Sequence, residues 1–310
     1  MLTKPLPIRD PIKALLDTEG PAVLAVIAGV EGPSYRPVGA MMAVFNTDER
    51  AGTLSSGCIE ADISLHAVET LQSGHPKLLR YGRGSPFVDI QLPCGGGLDI
   101  LLLPEPDRSV LTTVAENVAG RVPCSLEIDT QTGAMACIEA GETGLTERKL
   151  RVRFEPMIRF LVFGKGPEAS TFAALVQSAG YPNVLLSPDQ ETLEIGAASG
   201  CPTRHLIGQT FPGDMSADDR TAVVLFFHDH EWEPPILADA LKTRAFYIGA
   251  QGSQRARDAR MAVLDAMGVP EAERDRLHGP VGLVPSARDP GTLAVSVLAE
   301  VLAKAMVPAP

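Results

Sequence analysis

Two cysteines in glycine-framed turns are the residues whose type and setting first suggest chemistry. Cys58 lies in Gly52-Thr53-Leu54-Ser55-Ser56-Gly57-Cys58-Ile59-Glu60, and Cys94 lies about 35 residues on, in Pro93-Cys94-Gly95-Gly96-Gly97. Glycine lets the backbone adopt positive φ and approach a ligand closely. The N–H groups of a helix N-terminus favour negative charge and lower a thiol's pKa. A thiol with the Glu60 carboxylate two residues away therefore suits thiolate chemistry. The same residue types also serve as small side chains packed beneath turns.

The elements that must position these residues can be read from the pattern around them. The apolar run Ala40–Phe45 precedes the Cys58 turn and the helix-like run Ala61–Val68 follows it, so the thiol falls where a strand becomes a helix. Upstream, Ile8–Glu19 has helical spacing and stops at Gly20-Pro21. Ala22–Ala28 has no polar alternation and reads as a strand covered on both faces. The loop from Gly29 to Gly39 then aims Ser34, Tyr35 and Arg36 at something. Lys77–Tyr81, Val88–Leu92 and Leu98–Leu103 read as extended segments, giving an α+β domain over residues 1 to about 105. Residues 106–155 read as an extension of it, with a helix over Ser109–Val118 and strands near 122–128 and 134–139. A linker is expected near Arg151–Pro156, dividing the chain into domains 1–155 and 156–310. Cys124 and Cys137 fall on strand patterns and read as core packing.

The second half changes register. The strand Ile158–Phe163 leads into Gly164-Lys165-Gly166-Pro167-Glu168-Ala169 and a helix, a G-x-G-x-x-A fingerprint in the context that a Rossmann-like, doubly wound parallel sheet requires. The next strand ends at Ser187, where NAD-binding proteins place an acid for the ribose, with Asp189 two residues on. Glu168 would oppose a pyrophosphate. A buried strand, Thr221–Phe227, ends in His228-Asp229-His230-Glu231, at the end of an α/β sheet where ligands bind. Another strand, Ala245–Ile248, opens into Gly249-Ala250-Gln251-Gly252-Ser253-Gln254-Arg255 and a helix carrying Arg255, Arg257 and Arg260, which reads as an anion site. Pro290–Lys304 closes the chain as an apolar helix capped by Asp289.

Composition sets the outer bounds. With 310 residues, 45% apolar content and a net charge of −11, the chain reads as about two globular domains whose main partner is neither nucleic acid nor an anionic membrane. Five cysteines without a C-x-x-C pair suggest a reducing compartment rather than a disulfide scaffold. The N-terminus lacks the apolar core of a signal peptide and Ala22–Val30 is too short to span a bilayer, so the location expected is cytoplasmic. Apolar stretches such as 293–303 are compatible with a homodimer.

Taken together, the motifs resemble the xanthine dehydrogenase accessory factor family (XdhC/CoxI). The likeness rests on Gly32-Pro33-Ser34-Tyr35-Arg36-Pro37-Val38-Gly39-Ala40, Ser56-Gly57-Cys58-Ile59-Glu60 and Cys94-Gly95-Gly96. It continues through His228-Asp229-His230-Glu231, Phe246-Tyr247-Ile248-Gly249-Ala250-Gln251-Gly252-Ser253 and Arg276-Leu277-His278-Gly279-Pro280-Val281-Gly282-Leu283. The resemblance implies a chaperone that binds molybdenum cofactor (molybdopterin), assists exchange of an oxo ligand for sulfide, and delivers the cofactor to a molybdenum hydroxylase such as xanthine dehydrogenase. It would have no turnover of its own, and a cysteine desulfurase would supply the sulfur.

On that basis Cys58 and Cys94 become metal-proximal or sulfur-relay groups, with Glu60 as their proton-handling neighbour. Ser34, Arg36, Gly57, Gly95 and Gly96 become cofactor-binding residues in the first half. Gly164, Gly166, His228 and Asp229 take that role in the second, with Gly249, Gly252, Ser253 and Arg255 as a phosphate cradle. Three segments depart from the family pattern. Pro167 stands where the family has histidine, Ser187-Pro188 where it has acids, and Leu283-Val284-Pro285-Ser286 replaces Leu-Asp-Ile-Gly. The competing reading is an NAD(P)-dependent oxidoreductase built on the second domain, and a third is a nucleotide-sensing regulatory protein.

Overall fold

The run that reads as a strand buried on both faces is the centre of the first half. In the computed structural model, β1 (Val23–Glu31) sends Leu24, Val26 and Ala28 into one apolar core and Val23, Ala25 and Ile27 into another. Successive side chains of a strand point to opposite faces, so a strand covered twice needs no polar positions. The structure describes residues 10–46, 49–55, 57, 59–86, 92, 95–227 and 231–306. It divides into two compact units, Met1–Pro156 and Met157–Pro310.

The first unit runs α1 (Pro11–Asp17), β1, β2 (Met41–Val44), β3 (Arg50–Gly52), α2 (Glu60–Ser73), β4 (Lys77–Gly82), β5 (Gly97–Pro104) and α3 (Arg108–Ala119). It ends in β6 (Cys124–Asp129), β7 (Met135–Glu139), β8 (Gly144–Leu145) and β9 (Lys149–Phe154). A five-stranded antiparallel sheet has the order β3-β2-β1-β5-β4. Helix α2 covers one face through Ile63 and Ala67. On the other face lie Ile12, Ala14 and Leu15 of α1, Leu111 and Val114 of α3, and Leu126, Ile128, Leu150 and Val152 of a second sheet, β7-β6-β9-β8. Gly39, at φ +89, sits where that second sheet closes in, and a Cβ there would lie 2.8 Å from Val152 Cγ1.

That second sheet corrects the expected linker. Lys149-Leu150-Arg151-Val152-Arg153-Phe154 alternates polar and apolar residues, and it pairs along its whole length with β6. Leu150 and Val152 are buried beneath it. The segment Val88–Leu92, read as extended, lies outside the described residues except for Leu92.

The second unit runs β10 (Arg159–Gly164), α4 (Pro167–Ser178), β11 (Asn183–Ser187), α5 (Gln190–Ala198), β12 (Thr203–His205), β13 (Thr221–Phe226) and α6 (Glu233–Ala240). It continues with β14 (Tyr247–Ala250), α7 (Gln254–Ala266), α8 (Glu271–Arg274), β15 (Leu277–His278) and α9 (Pro290–Ala305). Its six strands are parallel in the order β12-β11-β10-β13-β14-β15. Counted within the unit that order is 3-2-1-4-5-6, the doubly wound dinucleotide-type arrangement. Asp289 caps α9 by accepting from the N–H of Thr292 at 2.8 Å.

Candidate functional site

The strand register gathers the candidate loops of the first unit at one end of its five-stranded sheet. Glu31 of β1 faces Gly97 of β5, and Gly82 of β4 faces the same glycine. Met41 of β2 faces Val26 of β1, and Met42 faces Gly52 of β3. The chain therefore leaves β1, β3 and β4, and enters β2 and β5, at the same end. The loops that follow Glu31, Gly52 and Gly82 all begin there. Cys58 and Cys94 themselves lie outside the described residues; Gly57, Ile59 and Gly95 beside them do not.

Glu60 orders the second of these loops. It opens α2 and is buried, yet accepts from the Thr53 hydroxyl at 2.6 Å, the Ser55 N–H and hydroxyl at 2.8 Å each, the Leu54 N–H at 3.2 Å and the Ile59 N–H at 3.3 Å. Burial works against the charge, but these donors outweigh it and hold the carboxyl down at about 2. The start of a helix also favours an anion. A carboxylate held as an anion by these donors fixes the shape of the segment before α2. Two residues on, Asp62 accepts from the Tyr81 hydroxyl at 2.6 Å, tying the beginning of α2 to the end of β4.

Two motifs far apart in the chain meet through bare backbone. A Cβ on Gly96 would stand 2.2 Å from the Pro33 carbonyl oxygen and 2.9 Å from that of Glu31. Only glycine permits this approach. Gly57 (φ +101) and Gly95 (φ +69) instead have open space where a Cβ would be, so their glycine character answers to backbone conformation. Around the junction, Arg80 bonds Asp99 at 2.9 Å and also Glu31, while Arg83 reaches Glu31 at 3.3 Å. Nothing local marks that cluster in the sequence, because its members join across long separations.

The Ser34 hydroxyl donates to the Arg36 carbonyl at 2.7 Å and accepts from the Arg36 N–H at 3.3 Å. This tight turn delivers Arg36 to the wall of a groove of about 710 Å³, which Thr53 also lines. The Arg36 guanidinium makes no hydrogen bond among the described residues.

In the second unit the dinucleotide-type turn is present but its donors are committed. Gly164 packs tightly, since a Cβ there would lie 2.6 Å from the Phe226 carbonyl oxygen. Gly166, at φ +87, gives its N–H to the Thr192 hydroxyl at 2.9 Å. Pro167, the next residue, has no N–H at all. Asp189 takes no ribose-like position: it caps α5, accepting from the Thr192 N–H at 2.9 Å and hydroxyl at 2.6 Å.

The turn after β14 is divided between packing and exposure. Gly249 is a buried strand residue whose missing Cβ leaves room for the Tyr247 ring and Val281, so it opens no path to a phosphate. Gly252 takes φ +146, and Ser253 caps α7 by accepting from the Ala256 N–H at 3.2 Å. Arg255 is exposed. Arg260 is withdrawn: it pairs with the buried Glu233 through two 2.9 Å bonds and donates to the Gln251 carbonyl at 2.7 Å. His228, Asp229 and His230 lie outside the described residues. Among the described residues, no group of three or more His, Cys, Asp or Glu side chains is arranged to hold a metal ion.

Such a layout defines a class: an α+β unit with converging glycine loops, joined in one chain to a Rossmann-type unit. Residues 15–82 match the model of the XdhC and CoxI family, and residues 160–301 match that of the XdhC Rossmann domain. The chain is 35% identical over 297 residues to the molybdenum cofactor insertion chaperone PaoD of Escherichia coli (strain K12), covering 95% of this chain and 86% of that protein. It is 25% identical over 327 residues to a probable xanthine dehydrogenase subunit of Bacillus subtilis (strain 168), covering 94% and 95%. A crystal structure described as a xanthine dehydrogenase from Bacillus halodurans shares the fold, with a TM-score of 0.76, 22% identity, and coverage of 96% and 97%. The chain belongs to the XdhC and CoxI family.

Proposed function

We propose that this protein is a molybdenum cofactor insertion chaperone serving a molybdenum hydroxylase such as xanthine dehydrogenase. The observation that carries the reading is the 35% identity to PaoD across 95% of the chain. The first unit suits the task. Glycine turns with open space at Gly57 and Gly95, backbone contact at Gly96, and an uncommitted guanidinium at Arg36 form a surface able to receive a bulky anion. Cys58 and Cys94 would add thiolates, which are soft ligands for a sulfur-bound metal.

When bound, the cofactor supplies the molybdenum atom on which oxo and sulfido ligands are exchanged. Glu60 holds the 53–59 loop by its fixed charge, and Arg36 attracts the negative group. Cys58 and Cys94 serve as metal-proximal donors or as carriers of sulfur from a cysteine desulfurase, and Ser253 and Arg255 as a secondary anion contact. The geometry of the 164–169 turn gives no support to the oxidoreductase alternative. No helix among the described residues is long and apolar enough to cross a membrane. The chaperone reading puts the protein's action in the cytoplasm, as a monomer or a homodimer.

The test is expression of the full chain in a host that makes molybdopterin, followed by metal analysis and pterin fluorescence after oxidation. Molybdenum and pterin should co-purify, and Cys58→Ser and Cys94→Ser should lower sulfuration of a partner hydroxylase. Protein that carries neither molybdenum nor pterin would sink the reading; unchanged sulfuration in both variants would remove the thiol roles alone.

A further inference from the structure

The groove beside Arg36 opens at the edge of the first unit's core. Its walls are apolar: Ile12 and Leu16 of α1, Ala115 and Val118 of α3, Met41 of β2 and Phe154 of β9. Its volume of about 710 Å³ falls in the roughly 300–1,000 Å³ range of small-molecule sites. Three charged side chains on its lining, Lys13, Asp17 and Arg36, have charged groups without a partner among the described residues. Asp10, also on the lining, is occupied in capping α1 through the N–H groups of Ile12 and Lys13.

Apolar walls favour the faces of a flat ring. A guanidinium and an ammonium favour an anionic substituent. A carboxylate accepts the paired N–H donors of an aminopyrimidine edge. The groove also adjoins the loop that Glu60 orders, because Thr53 lines it and donates to Glu60 at 2.6 Å.

We propose that this groove binds a phosphorylated pterin, with the ring between α1 and α3 and the phosphate at Arg36. The assignment rests on the chaperone reading, which names a pterin-bearing cofactor as cargo. It adds the place where the organic part is held and the residues that hold it. Ser34 is then a positioning residue, since its hydroxyl locks the turn that aims Arg36.

The test titrates the full-length protein with three probes, following pterin fluorescence: a pterin bearing a phosphomethyl substituent, its dephosphorylated counterpart, and inorganic phosphate as competitor. The phosphopterin should bind about tenfold tighter than either of the others. Arg36→Gln should erase the difference between the two pterins. Ala115→Phe and Val118→Trp, each confirmed as folded by its thermal transition, should weaken both pterins by about tenfold or more. Unchanged pterin affinity in the two filled-groove variants overturns the proposal. So does failure of the phosphopterin to bind cofactor-free protein, made in a host without molybdopterin, when the same chain made in a molybdopterin-producing host does carry molybdenum; in both cases the chaperone reading survives. Phosphopterin binding in the groove of a protein that never acquires molybdenum would do the reverse.

Discussion

Each unit buries one carboxylate at the start of a helix beside its candidate loops, and the two are held in opposite ways. Glu60 of the first unit accepts only from neutral N–H and O–H groups of residues 53–59 among the described residues. Glu233 of the second lies against the Arg260 guanidinium, and that guanidinium also grips the Gln251 carbonyl. The first arrangement stores a charge in a loop whose shape depends on it. The second neutralises the charge and pins the 251–253 turn between α6 and α7. A loop shaped by an uncompensated anion responds to what arrives near it, whereas a turn locked by an ion pair does not. The contrast is between a segment shaped by neutral donors around one anion and a turn held by an ion pair.

The largest effect should come from the locked side. Glu233→Ala leaves the Arg260 charge buried with only the Gln251 carbonyl, and removing one partner of a buried pair costs about 3–5 kcal/mol. Replacing both, as Glu233→Met with Arg260→Met, removes the orphaned charge and should recover most of that loss. Urea denaturation of the full chain measures both. Equal destabilisation by the single and double changes would show that packing, rather than charge pairing, holds this turn.

A smaller and pH-dependent effect is expected at Glu60. Its folded pKa of about 2 lies below the ordinary 4.5. The stabilisation is therefore present in full above about 4.5 and is lost as pH falls through the folded value. Glu60→Gln replaces charge-assisted bonds with weaker ones and should cost about 2 kcal/mol near neutrality. It should also flatten the decline in urea midpoint expected of the wild type over the 4.5 to 2 interval. If variant and wild type decline in parallel, the carboxylate is not held as an anion by this loop, and the contrast with Glu233 fails.

Features encoded by neighbouring residues were legible in the sequence. The unbroken apolar run of β1, the glycine spacing before α4 and the Asp289 cap of α9 depend on periodicity or on contacts three residues away. Contacts joining distant segments were not. Arg80 finds Asp99 and Glu31 at separations of 19 and 49 residues, and the Gly96–Pro33 approach joins two loops through backbone alone. The Arg260–Glu233 pair spans 27 residues, so the sequence pattern counts Arg260 with the exposed cations of its helix. One local signal has a plainer use: Asp189, two residues past the ribose position that Ser187 occupies, accepts from the Thr192 N–H and begins α5.

That use of Asp189 leads to the smallest and sharpest test of the comparison. Thr192 accepts from the Gly166 N–H and donates to Asp189, so it seals the turn where a dinucleotide phosphate would otherwise approach. Thr192→Val removes both side-chain bonds and keeps the backbone cap, at an expected cost of about 1 kcal/mol. Wild-type protein should show no submillimolar affinity for NAD(H) or NADP(H). The variant should show none either, because Pro167 supplies no N–H and the Glu168 side chain sits in the first turn of α4, where a phosphate would have to approach. Calorimetric titration of both proteins decides the matter. Submillimolar binding gained by the variant would mean that a single hydroxyl separates this turn from a working nucleotide site, and the second unit would then be no more locked than the first.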